Sequence, residues 1–358
     1  MRLYKLIEGL ADINIPDREI SSVTEDCIFV CVKGGSFDGH DAAAEMLEKG
    51  AAVIVAERDL GLGDKQIITD NSRKFYGELC AAWFDHPEKK LKIIGVTGTN
   101  GKTTISNVIK NIFMKNGVKT GLIGTICNEI GDETVHTDNT TPMAFDYMCL
   151  LDKMVKAGCK YAVMEVSSFG LVQHRIGPTH FDMGIFTNLT QDHLDYHKTM
   201  ENYYQAKKMM FDECDYALIN TDDEYGRRIF SEISCKKERY GISSEADYYA
   251  DAIKIKSDGT SFWYCYNGKS QLVNMKMTGM FNVSNVTAAI SVCLKAGLPI
   301  EDILNAVDKI NADNIYVLPN NKNIILAAQQ AESLIEDKNI IVVPSKTIPQ
   351  GISAMIGF

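Results

Sequence analysis

A glycine-rich segment lying between an apolar run and a helical pattern limits what this chain can fold into more than any other feature. The run GVTGTNGKTT at residues 95–104 ends the predicted strand Lys92–Thr97 and opens the predicted helix Thr103–Asn116. Its glycines let backbone N–H groups approach phosphate oxygens, and the helix N-terminus adds partial positive charge. The order of strand, turn and helix therefore predicts a nucleoside triphosphate site within an α/β fold.

Two side chains of this loop would carry the phosphate chemistry. Lys102 would reach the β- and γ-phosphates, and the Thr103 hydroxyl would ligate Mg²⁺. Val96 stands where the strict pattern for such loops has its first glycine, so a glycine-rich turn with a surface lysine is the alternative interpretation. The candidate nucleotide-binding residues of the loop are Gly98, Thr99, Asn100, Gly101, Lys102, Thr103 and Thr104.

Apolar runs further along the chain predict a mostly parallel sheet with helices on both faces. Four strands are expected after the first, at Thr120–Ile123, Tyr161–Glu165, Met183–Thr187 and Tyr216–Asn220. A hairpin around residues 267–268 and a helix over Asn282–Ala296 follow them. This pattern is typical of a doubly wound α/β domain.

Breaks in the pattern divide the chain into three parts. Residues 1–90 predict a small N-terminal α/β domain, with strands at Cys27–Val32 and Ala51–Ala56. Residues 91–310 predict a P-loop-type, doubly wound central domain. Residues 311–358 predict a short C-terminal α/β fragment, too short to fold alone with much stability.

The composition excludes several classes of protein. The formal net charge of −10 argues against a nucleic-acid binder that relies on a basic surface. No run of about 18 apolar residues occurs, so no membrane span is expected. The ten cysteines form no CxxC pair, which favours a reducing, cytoplasmic location over a disulfide framework.

Three polar clusters lie beside apolar strands downstream of the loop, namely TTP at 140–142, MEVSS at 164–168 and NLTQDHLDYH at 188–197. Ligands of open α/β sheets gather at the carboxyl ends of strands. Glu165 and His193 could therefore meet the phosphate loop in one crevice, where a carboxylate and an imidazole suit a divalent cation. Taken singly, such clusters are often only solvated loops or helix caps.

The order of these motifs resembles that of the Mur ligases, most closely the MurE type. TGTNGKTT, NTTP, MEVSS, FTNLTQDHLDYH and YYQAKKMMF carry the resemblance, and INTDD and GMFNVSNVTAA continue it over about residues 1–310. The resemblance implies ATP-dependent amide formation through an acyl phosphate, with ATP and Mg²⁺ as cofactors. The implied partners are UDP-N-acetylmuramoyl-L-alanyl-D-glutamate and meso-diaminopimelate or L-lysine, without nucleic acid or membrane.

The resemblance also implies roles for individual residues. The positions that match catalytic residues are Lys102, Glu165, His193 and Lys207. The implied metal ligands are Thr103, Glu165, His193 and a carbamylated Lys207. Carbamylation would turn the Lys207 cation into an anion able to hold a second Mg²⁺, whereas the alternative is a lysine on a helix surface.

Two further sets of residues match substrate contacts of the family. The UDP-sugar would be held by Ser22, Thr140, Thr141, Ser167 and Arg175. Asn282 and Asn285 match the border of the adenine site, and helix capping by Asn282 is the alternative. Arginine suits a pyrophosphate or a carboxylate.

The chain departs from the family in three places. Phe169 stands where the family usually has histidine, and the uridine loop is shortened to a remnant at Ser21 and Ser22, although Gly39-His40-Asp41 matches. Residues after Ile310 do not resemble the C-terminal domain of the family. They resemble a piece of the dihydroxyacetone-kinase-like fatty acid kinase A family, for which a truncated or misjoined reading frame is favoured over a genuine fusion.

Three other functions remain open from the sequence. The chain could be a remnant that binds ATP and the UDP-sugar without ligation. It could be another ligase on the same scaffold, of the folylpolyglutamate or cyanophycin type. A fatty-acid-kinase role is the weakest, because the tail lacks a phosphate-binding motif of its own.

Overall fold

Strands and helices alternate along most of the chain. The computed structural model describes residues 26–34, 37–137, 139–256, 259–310, 314–317, 325 and 339–343. The strands are β1 (Ile28–Val30), β2 (Val53–Ala56), β3 (Gln66–Ile68), β4 (Lys92–Thr97), β5 (Thr120–Ile123), β6 (Asn128–Ile130), β7 (Glu133–Val135), β8 (Tyr161–Glu165), β9 (Met183–Phe186), β10 (Tyr216–Asn220), β11 (Lys236–Gly241), β12 (Tyr248–Lys256), β13 (Gly259–Tyr266), β14 (Lys269–Met275), β15 (Asn314–Val317) and β16 (Asn339–Val342). The α-helices are α1 (Ala43–Glu48), α2 (Ser72–Trp83), α3 (Lys102–Lys115), α4 (Ala144–Lys156), α5 (Ser168–Val172), α6 (Leu194–His197), α7 (Met200–Lys208), α8 (Glu224–Glu232), α9 (Met280–Lys295) and α10 (Ile300–Asp308).

An eleven-stranded sheet organises the larger part of the chain, in the order β14-β13-β12-β11-β10-β9-β4-β8-β5-β6-β7. All neighbours from β12 to β5 are parallel. The two ends are antiparallel, with β13 and β14 at one edge and β6 and β7 at the other. This mostly parallel sheet with a separate small sheet confirms the predicted α/β fold class.

The central strand β4 shows why the sheet is covered on both faces. Successive side chains of a strand point to opposite faces. Ile93 packs in one apolar core together with Tyr147 and Leu151 of α4. Ile94 packs in the other core, which includes Ile109 of α3. In α3 the buried apolar residues recur with the three-and-four spacing of a helix that covers a sheet, at Ile105, Val108, Ile109, Ile112 and Phe113.

The chain reverses its direction of travel across the sheet beside β4. From β4 the chain crosses to β5, which lies beyond β8, and β9 pairs on the opposite side of β4. Ligands of open α/β sheets bind outside the carboxyl ends of strands at such a switch point. The segments that follow β4, β8 and β9 include the phosphate-loop candidate and two of the three polar clusters.

A small parallel sheet, β1-β2-β3, lies near the start of the described residues. It has its own apolar core, in which Phe29 and Ile54 pack with Met46 of α1. Helix α2 joins this part to the larger sheet, because Tyr76 packs in one apolar core with Val55 of β2 and Ile93 of β4. Strands β15 and β16 pair with each other in parallel.

Several elements differ from the prediction. Strands β6, β7, β11 and β12 were not predicted, whereas β13 and β14 form the hairpin that was predicted around residues 267–268. Helix α9 begins at Met280 instead of Asn282. None of the helices in the described ranges is long and apolar enough to cross a membrane.

Candidate functional site

The loop after β4 is held in place by the segment that follows β9. Thr187 Oγ1 donates a hydrogen bond to the Asn100 carbonyl at 2.6 Å. The Asn188 carbonyl accepts from the Thr99 N–H at 2.8 Å, and its side-chain oxygen accepts from the Asn100 N–H at 3.0 Å. Three hydrogen bonds therefore join the two strand-end segments.

Two glycines of the loop occupy backbone conformations and spaces that other residues tolerate poorly. Gly98 has a φ of +144°, and a Cβ there would lie 1.9 Å from Thr187 Oγ1. Gly101 has a φ of +89°, and a Cβ there would lie 2.6 Å from Asn285 Oδ1. Both positions therefore require glycine for conformational and steric reasons.

Helix α3 directs its N-terminus at the loop. The N–H groups of its first residues, Lys102, Thr103 and Thr104, have no acceptor within the helix and are available to an anion. The Lys102 ammonium folds back to donate to the carbonyls of Gly98 and Thr99, at 3.1 and 2.8 Å. Burial lowers the pKa of Lys102 below its ordinary value, so a bound anion would favour its charged form.

Glu165, at the end of β8, lies fully buried beside the first turn of α3. Its Oε2 accepts hydrogen bonds from Thr103 Oγ1 at 2.9 Å and from Thr125 Oγ1 at 3.0 Å. Its Oε1 accepts from the Thr125 N–H at 2.8 Å. The three hydrogen bonds fix a carboxylate against the phosphate loop.

These oxygens fit a divalent cation. A carboxylate and a hydroxyl are hard oxygen ligands of the kind that Mg²⁺ takes from proteins. Within the described ranges, no group of three or more His, Cys, Asp or Glu side chains could hold a metal. A cation held by Glu165 and Thr103 would therefore complete its shell with phosphate oxygens and water, as Mg²⁺ commonly does at nucleotide sites.

His193 lies at the rim of this site. It precedes α6 with a φ of +51°, and its ring is half-exposed and 3.4 Å from the Asp192 carboxylate. Its edge faces the rings of Phe169 and Tyr203, with centroids 5.2 and 6.0 Å away. Its role as a metal ligand beside Glu165 therefore stays a prediction.

Lys207 of α7 is buried, with 2% of its surface exposed, which rules out the alternative of a lysine on the helix surface. Its Nζ donates to the Gly98 carbonyl at 2.7 Å, the same oxygen that accepts from Lys102. Burial holds the pKa of Lys207 well below its ordinary value, and the Lys102 ammonium lowers it further. The neutral amine is therefore easier to reach at this position than in an exposed lysine.

An aromatic cluster surrounds the Lys207 amine. The Tyr203 ring lies 4.7 Å from Nζ, and its hydroxyl is 3.4 Å from Thr99 Oγ1. His197 stacks on Tyr203 at 4.9 Å and contacts Ser168 Oγ at 2.8 Å. Phe169 packs against His197 at 5.6 Å, so the departure from the family at this position adds an apolar ring to the cluster.

The residues predicted to hold the UDP-sugar lie directly behind Glu165. Thr141 is buried, donates to the Glu165 carbonyl at 3.0 Å and accepts from the Ser167 N–H at 3.0 Å. The Thr140 hydroxyl lies 3.1 Å from that of Thr125, on the exposed side. The Ser167 side chain does not point outward. It caps α5 by accepting a hydrogen bond from the Gly170 N–H, the third N–H of that helix.

Arg175 lines a narrow cavity between the two sheets. Its guanidinium donates to Gln173 Oε1 at 2.8 and 2.9 Å and to the Thr141 carbonyl at 3.1 Å. Arg73 of α2 lines the same cavity and donates to the Lys33 carbonyl. Neither arginine forms an ion pair with a described residue, and burial lowers the pKa of both. Two unpaired cations in one cavity favour an anionic ligand.

The N-terminus of α9 adjoins the phosphate loop. Asn285 is buried there against Gly101, whereas Asn282 donates to a backbone carbonyl at 2.9 Å. Gly279 occupies the N-cap position, so the interpretation of Asn282 as the helix cap is wrong. The neighbouring Phe281 ring is 70% exposed beside this opening.

Three predicted positions belong to the N-terminal part. Ser22 and Ser21 lie outside the described residues. His40 is buried, and its Nε2 accepts from the Glu57 N–H at 2.9 Å while its Nδ1 contacts Asp38. The imidazole therefore fixes a turn of the small sheet and does not point freely into solvent.

Sequence reasoning missed three residues of the site. Thr125 binds Glu165, Tyr203 supports Lys207, and Arg73 faces Arg175. Tyr203 lies four residues before Lys207 on one helix face, and that spacing was the signal available for it. No local pattern marks Thr125 or Arg73, because their partners come from distant parts of the chain.

Two family models match the sequence. The model of the Mur ligase middle domain matches residues 96–293. The model of the C-terminal region of proteins like fatty acid kinase A matches residues 274–358, so residues 274–293 are matched by both. The second match begins upstream of the predicted boundary near residue 311.

Curated relatives cover most of this chain. The UDP-N-acetylmuramoyl-L-alanyl-D-glutamate–2,6-diaminopimelate ligase 1 of Clostridium acetobutylicum is 40% identical over 313 residues, which are 86% of this chain and 65% of that protein. The ligase of the same name from Bacillus licheniformis is 38% identical over 330 residues, covering 86% and 67%. The chain thus spans about two thirds of the length of these relatives.

Solved structures share the fold. A UDP-N-acetylmuramoyl-L-alanyl-D-glutamate–2,6-diaminopimelate ligase superposes with a TM-score of 0.73 at 25% identity, over 87% of this chain and 68% of that one. MurF from Acinetobacter baumannii superposes with a TM-score of 0.56 at 19% identity, over 93% and 76%. The second likeness concerns the fold alone.

Proposed function

Because this chain belongs to the Mur ligase family, we propose that it is an ATP-dependent acid–amino-acid ligase of peptidoglycan precursor synthesis, of the MurE type. Its acceptor would be UDP-N-acetylmuramoyl-L-alanyl-D-glutamate. Its amine would be 2,6-diaminopimelate, which appears in the names of the curated relatives, and L-lysine is the second candidate. We further propose domains at 1–90, 91–310 and 311–358 and a cytoplasmic location, where its ten cysteines would stay reduced.

The observation that best supports this proposal is the hydrogen bond between Thr103, at the start of α3, and the buried Glu165 carboxylate. This pair stands directly beside the phosphate loop and the Lys102 ammonium. Mg²⁺, when bound, would neutralise phosphate charge and draw electron density from the transferred group. Phosphoryl transfer depends mostly on the positioning of the phosphate groups and on charges that stabilise them. The Thr103–Glu165 pair and the Lys102 ammonium supply both.

The residues of the chain would carry out two chemical steps. In the first, Lys102 and the N–H groups of α3 hold the triphosphate while a substrate carboxylate oxygen attacks the γ-phosphorus and ADP leaves. In the second, the amine nitrogen attacks the carbonyl carbon of the acyl phosphate, the bond from that carbon to the phosphate oxygen breaks, and inorganic phosphate leaves as the nitrogen loses a proton. Arg175 and Arg73 would hold the anionic UDP-sugar at the opposite end of the site.

Phosphate release by the purified chain tests the proposal. ATP, Mg²⁺ and the UDP-muramoyl dipeptide would be supplied with diaminopimelate, with lysine, or without an amine. We expect release that depends on diaminopimelate. Tight binding of ATP and the UDP-sugar without amine-dependent release would instead indicate a binding remnant, and release with a folate would indicate a different ligase on this scaffold.

Lys207 is expected to require carbon dioxide. Its unprotonated nitrogen would attack the carbon of CO₂ to form a carbamate and release a proton, and burial favours that neutral amine. Because the pKa is lowered, the reactive form is present above the folded-state pKa and is lost as the pH falls through it. Removal of CO₂ should therefore reduce ligation about 10²-fold, and bicarbonate should restore it.

Substitution separates this effect from a general loss of structure. Lys207→Gln should be as slow as the CO₂-depleted enzyme and insensitive to bicarbonate. Lys208→Gln is the matched control, because the neighbouring Lys208 pairs with Glu232 at 2.7 Å on the outer side of α7. Equal bicarbonate stimulation of the Lys207 variant and the parent chain would rule out this role.

Arg73 is expected to bind the UDP-sugar together with Arg175. Arg73→Gln removes one of the two cavity cations that form no ion pair within the described part of the chain. A charge-assisted hydrogen bond contributes about 1.5–3 kcal/mol. Calorimetry should show roughly 10- to 100-fold weaker binding of the UDP-muramoyl dipeptide with unchanged ATP affinity. Arg228→Gln is the control, since Arg228 pairs with Glu201 and Glu232 away from the cavity. Equal affinities in both variants would contradict the assignment.

A further inference from the structure

We propose that His174 positions the two arginines of the UDP-sugar cavity, by tying the start of α2 to the turn that follows α5. The identity of the ligand rests on the proposed function, whereas the contact between the two elements does not. His174 lines the cavity together with Arg73 and Arg175. It is a positioning residue, because it acts through the arginines beside it.

The contact joins the His174 ring to Asn71, the N-cap residue of α2. Asn71 Nδ2 lies 3.2 Å from His174 Nε2. The Asn71 side-chain oxygen is already engaged, since it accepts from the Lys74 N–H at 2.9 Å and so caps the helix. Turning the amide over would place its NH₂ group against that N–H, donor against donor. The cap therefore fixes which end of the amide faces the imidazole.

This orientation also fixes the protonation state of the ring. An amide nitrogen donates hydrogen bonds and accepts none, so His174 Nε2 must be the acceptor and carry no proton. The proton of the neutral ring is then on Nδ1. A charged imidazolium carries a proton on both nitrogens and would lose the contact with Asn71. The hydrogen bond from Asn71 to His174, called the clasp below, therefore exists only with a neutral imidazole.

The charges around His174 favour the same neutral form. Lys74 and Arg73 of α2 lie near the ring on one side, and Arg175 adjoins it in the turn. Burial lowers the pKa of His174 below its ordinary value, and the cations Lys74 and Arg73 lower it further. The clasp is therefore intact at neutral pH and above, and it is lost as the pH falls through the lowered pKa.

The clasp lies beside both arginines, so it sets the spacing between them. Arg73 follows Asn71 by two residues in the first turn of α2, and Arg175 directly follows His174. The Arg175 guanidinium is held on its own side of the cavity by the Thr141 carbonyl at 3.1 Å. An anion that binds both cations needs this spacing, because hydrogen bonds weaken when their donors are misplaced.

A second contact holds the same turn against α2. Gly77 packs on Gly177 so closely that a Cβ on Gly77 would lie 2.6 Å from Gly177 Cα. His174 has a φ of +52°, a conformation that is uncommon for a residue with a side chain. The turn thus fits the middle of α2 by its backbone and the start of α2 by the clasp. Loss of the clasp should therefore free the start of the helix, where Arg73 lies, without detaching the whole helix.

Calorimetry with UDP-N-acetylmuramoyl-L-alanyl-D-glutamate tests the role in binding. His174→Leu removes the acceptor and should weaken binding about 3- to 10-fold, as expected for one neutral hydrogen bond. His174→Gln should bind within about twofold of the parent chain, because its side-chain oxygen can accept from Asn71 in place of Nε2. His180→Leu is the matched control with unchanged affinity, since His180 pairs with Asp215 at 2.9 Å away from the cavity. Equal losses in the Leu and Gln variants of His174 would overturn the proposal.

A double-mutant cycle separates the clasp from a general loosening of the turn. Asn71→Ser keeps an N-cap side chain but removes the amide donor, so it should weaken binding as His174→Leu does. The double variant should lose no more affinity than either single variant, because both changes remove the same hydrogen bond. Unchanged ATP affinity in all three shows that the variants fold. Additive losses would mean that the two residues act independently, against the proposal.

Imidazole ¹⁵N spectra of the full chain test the clasp without a ligand. We expect the His174 ring to be neutral at neutral pH with its proton on Nδ1, and the signal that disappears in His174→Gln assigns it. Asn71→Asp keeps the cap but replaces the donor by a carboxylate, so the pKa of His174 should rise above its ordinary value of about 6.5. A parent ring protonated on Nε2 would overturn the clasp. A chain that showed the clasp and bound no UDP-sugar would instead contradict the proposed function and the ligand named here.

Discussion

Replacing Glu165 with glutamine is expected to lower amine-dependent phosphate release by about 10²–10³-fold without unfolding the chain. The amide can still accept from the Thr125 N–H and donate to the hydroxyl of Thr103, so the local hydrogen bonds survive. What disappears is the negative charge that would bind a cation between this side chain and the triphosphate. Steady-state phosphate release at saturating substrates measures the loss, and calorimetry should show weaker ATP binding in the presence of Mg²⁺.

A carboxylate elsewhere in the same sheet provides the comparison. Glu129 of β6 pairs with Lys110 at 2.5 Å and is largely buried, yet no residue assigned to the site contacts it. Glu129→Gln should cost some stability, because it leaves the Lys110 charge unpaired, but it should change phosphate release less than about threefold. If both variants lost activity equally, or if Glu165→Gln stayed active, the carboxylate would not be the metal ligand.

The strands that the sequence predicted correctly share one property. Strands β4, β5, β8 and β10 have the predicted bounds, and at least five-sixths of the residues in each are buried. Strands buried on both faces of a parallel sheet have continuous apolar runs, which can be recognised without knowledge of their neighbours. The resemblance to the Mur ligases and to the fatty acid kinase A family is likewise confirmed by family models.

The strands that were missed depend on their neighbours. Strand β11 reads KKERYG and β12 reads YYADAIKIK, with charged residues on exposed positions. Strands β6 and β7 have only three residues each. These segments are too polar or too short to be distinguished from loops by periodicity, and they become strands because paired backbone groups on adjacent strands are available to them.

The site divides in the same way between local and long-range information. The phosphate loop is a contiguous motif, so its residues could be named from spacing alone. The bond from Thr125 to Glu165 joins residues 40 positions apart. Arg73 meets Arg175 only because α2 packs against the larger sheet. The placement of His193 at the rim, where its own φ is positive, depends on a turn that no local pattern marks.

Replacing Gly98 with alanine should have the largest effect on both stability and nucleotide binding. Its φ of +144° is a conformation that only glycine adopts readily, and the added Cβ would lie 1.9 Å from Thr187 Oγ1. Strain of about 1–3 kcal/mol adds to an overpacking cost of about 1–3 kcal/mol. We expect a fall in Tm of roughly 6–12 °C for a loss above about 3 kcal/mol. The Gly98 carbonyl also accepts from Lys102 and Lys207, so displacement of this residue moves both amines.

A second glycine separates the conformational strain of alanine at positive φ from the steric clash of its Cβ. Gly158 has a φ of +78°, and a Cβ there would meet nothing within 4 Å. Gly158→Ala should therefore cost only the conformational strain, about 1–2 kcal/mol, with ATP affinity unchanged. Gly98→Ala should lose ATP affinity by at least about 10²-fold, since alignment of the loop is the basis of phosphate binding. If both variants lost Tm equally and still bound ATP normally, the loop would have adapted by moving Thr187. The alignment of the loop would then not be what positions the triphosphate.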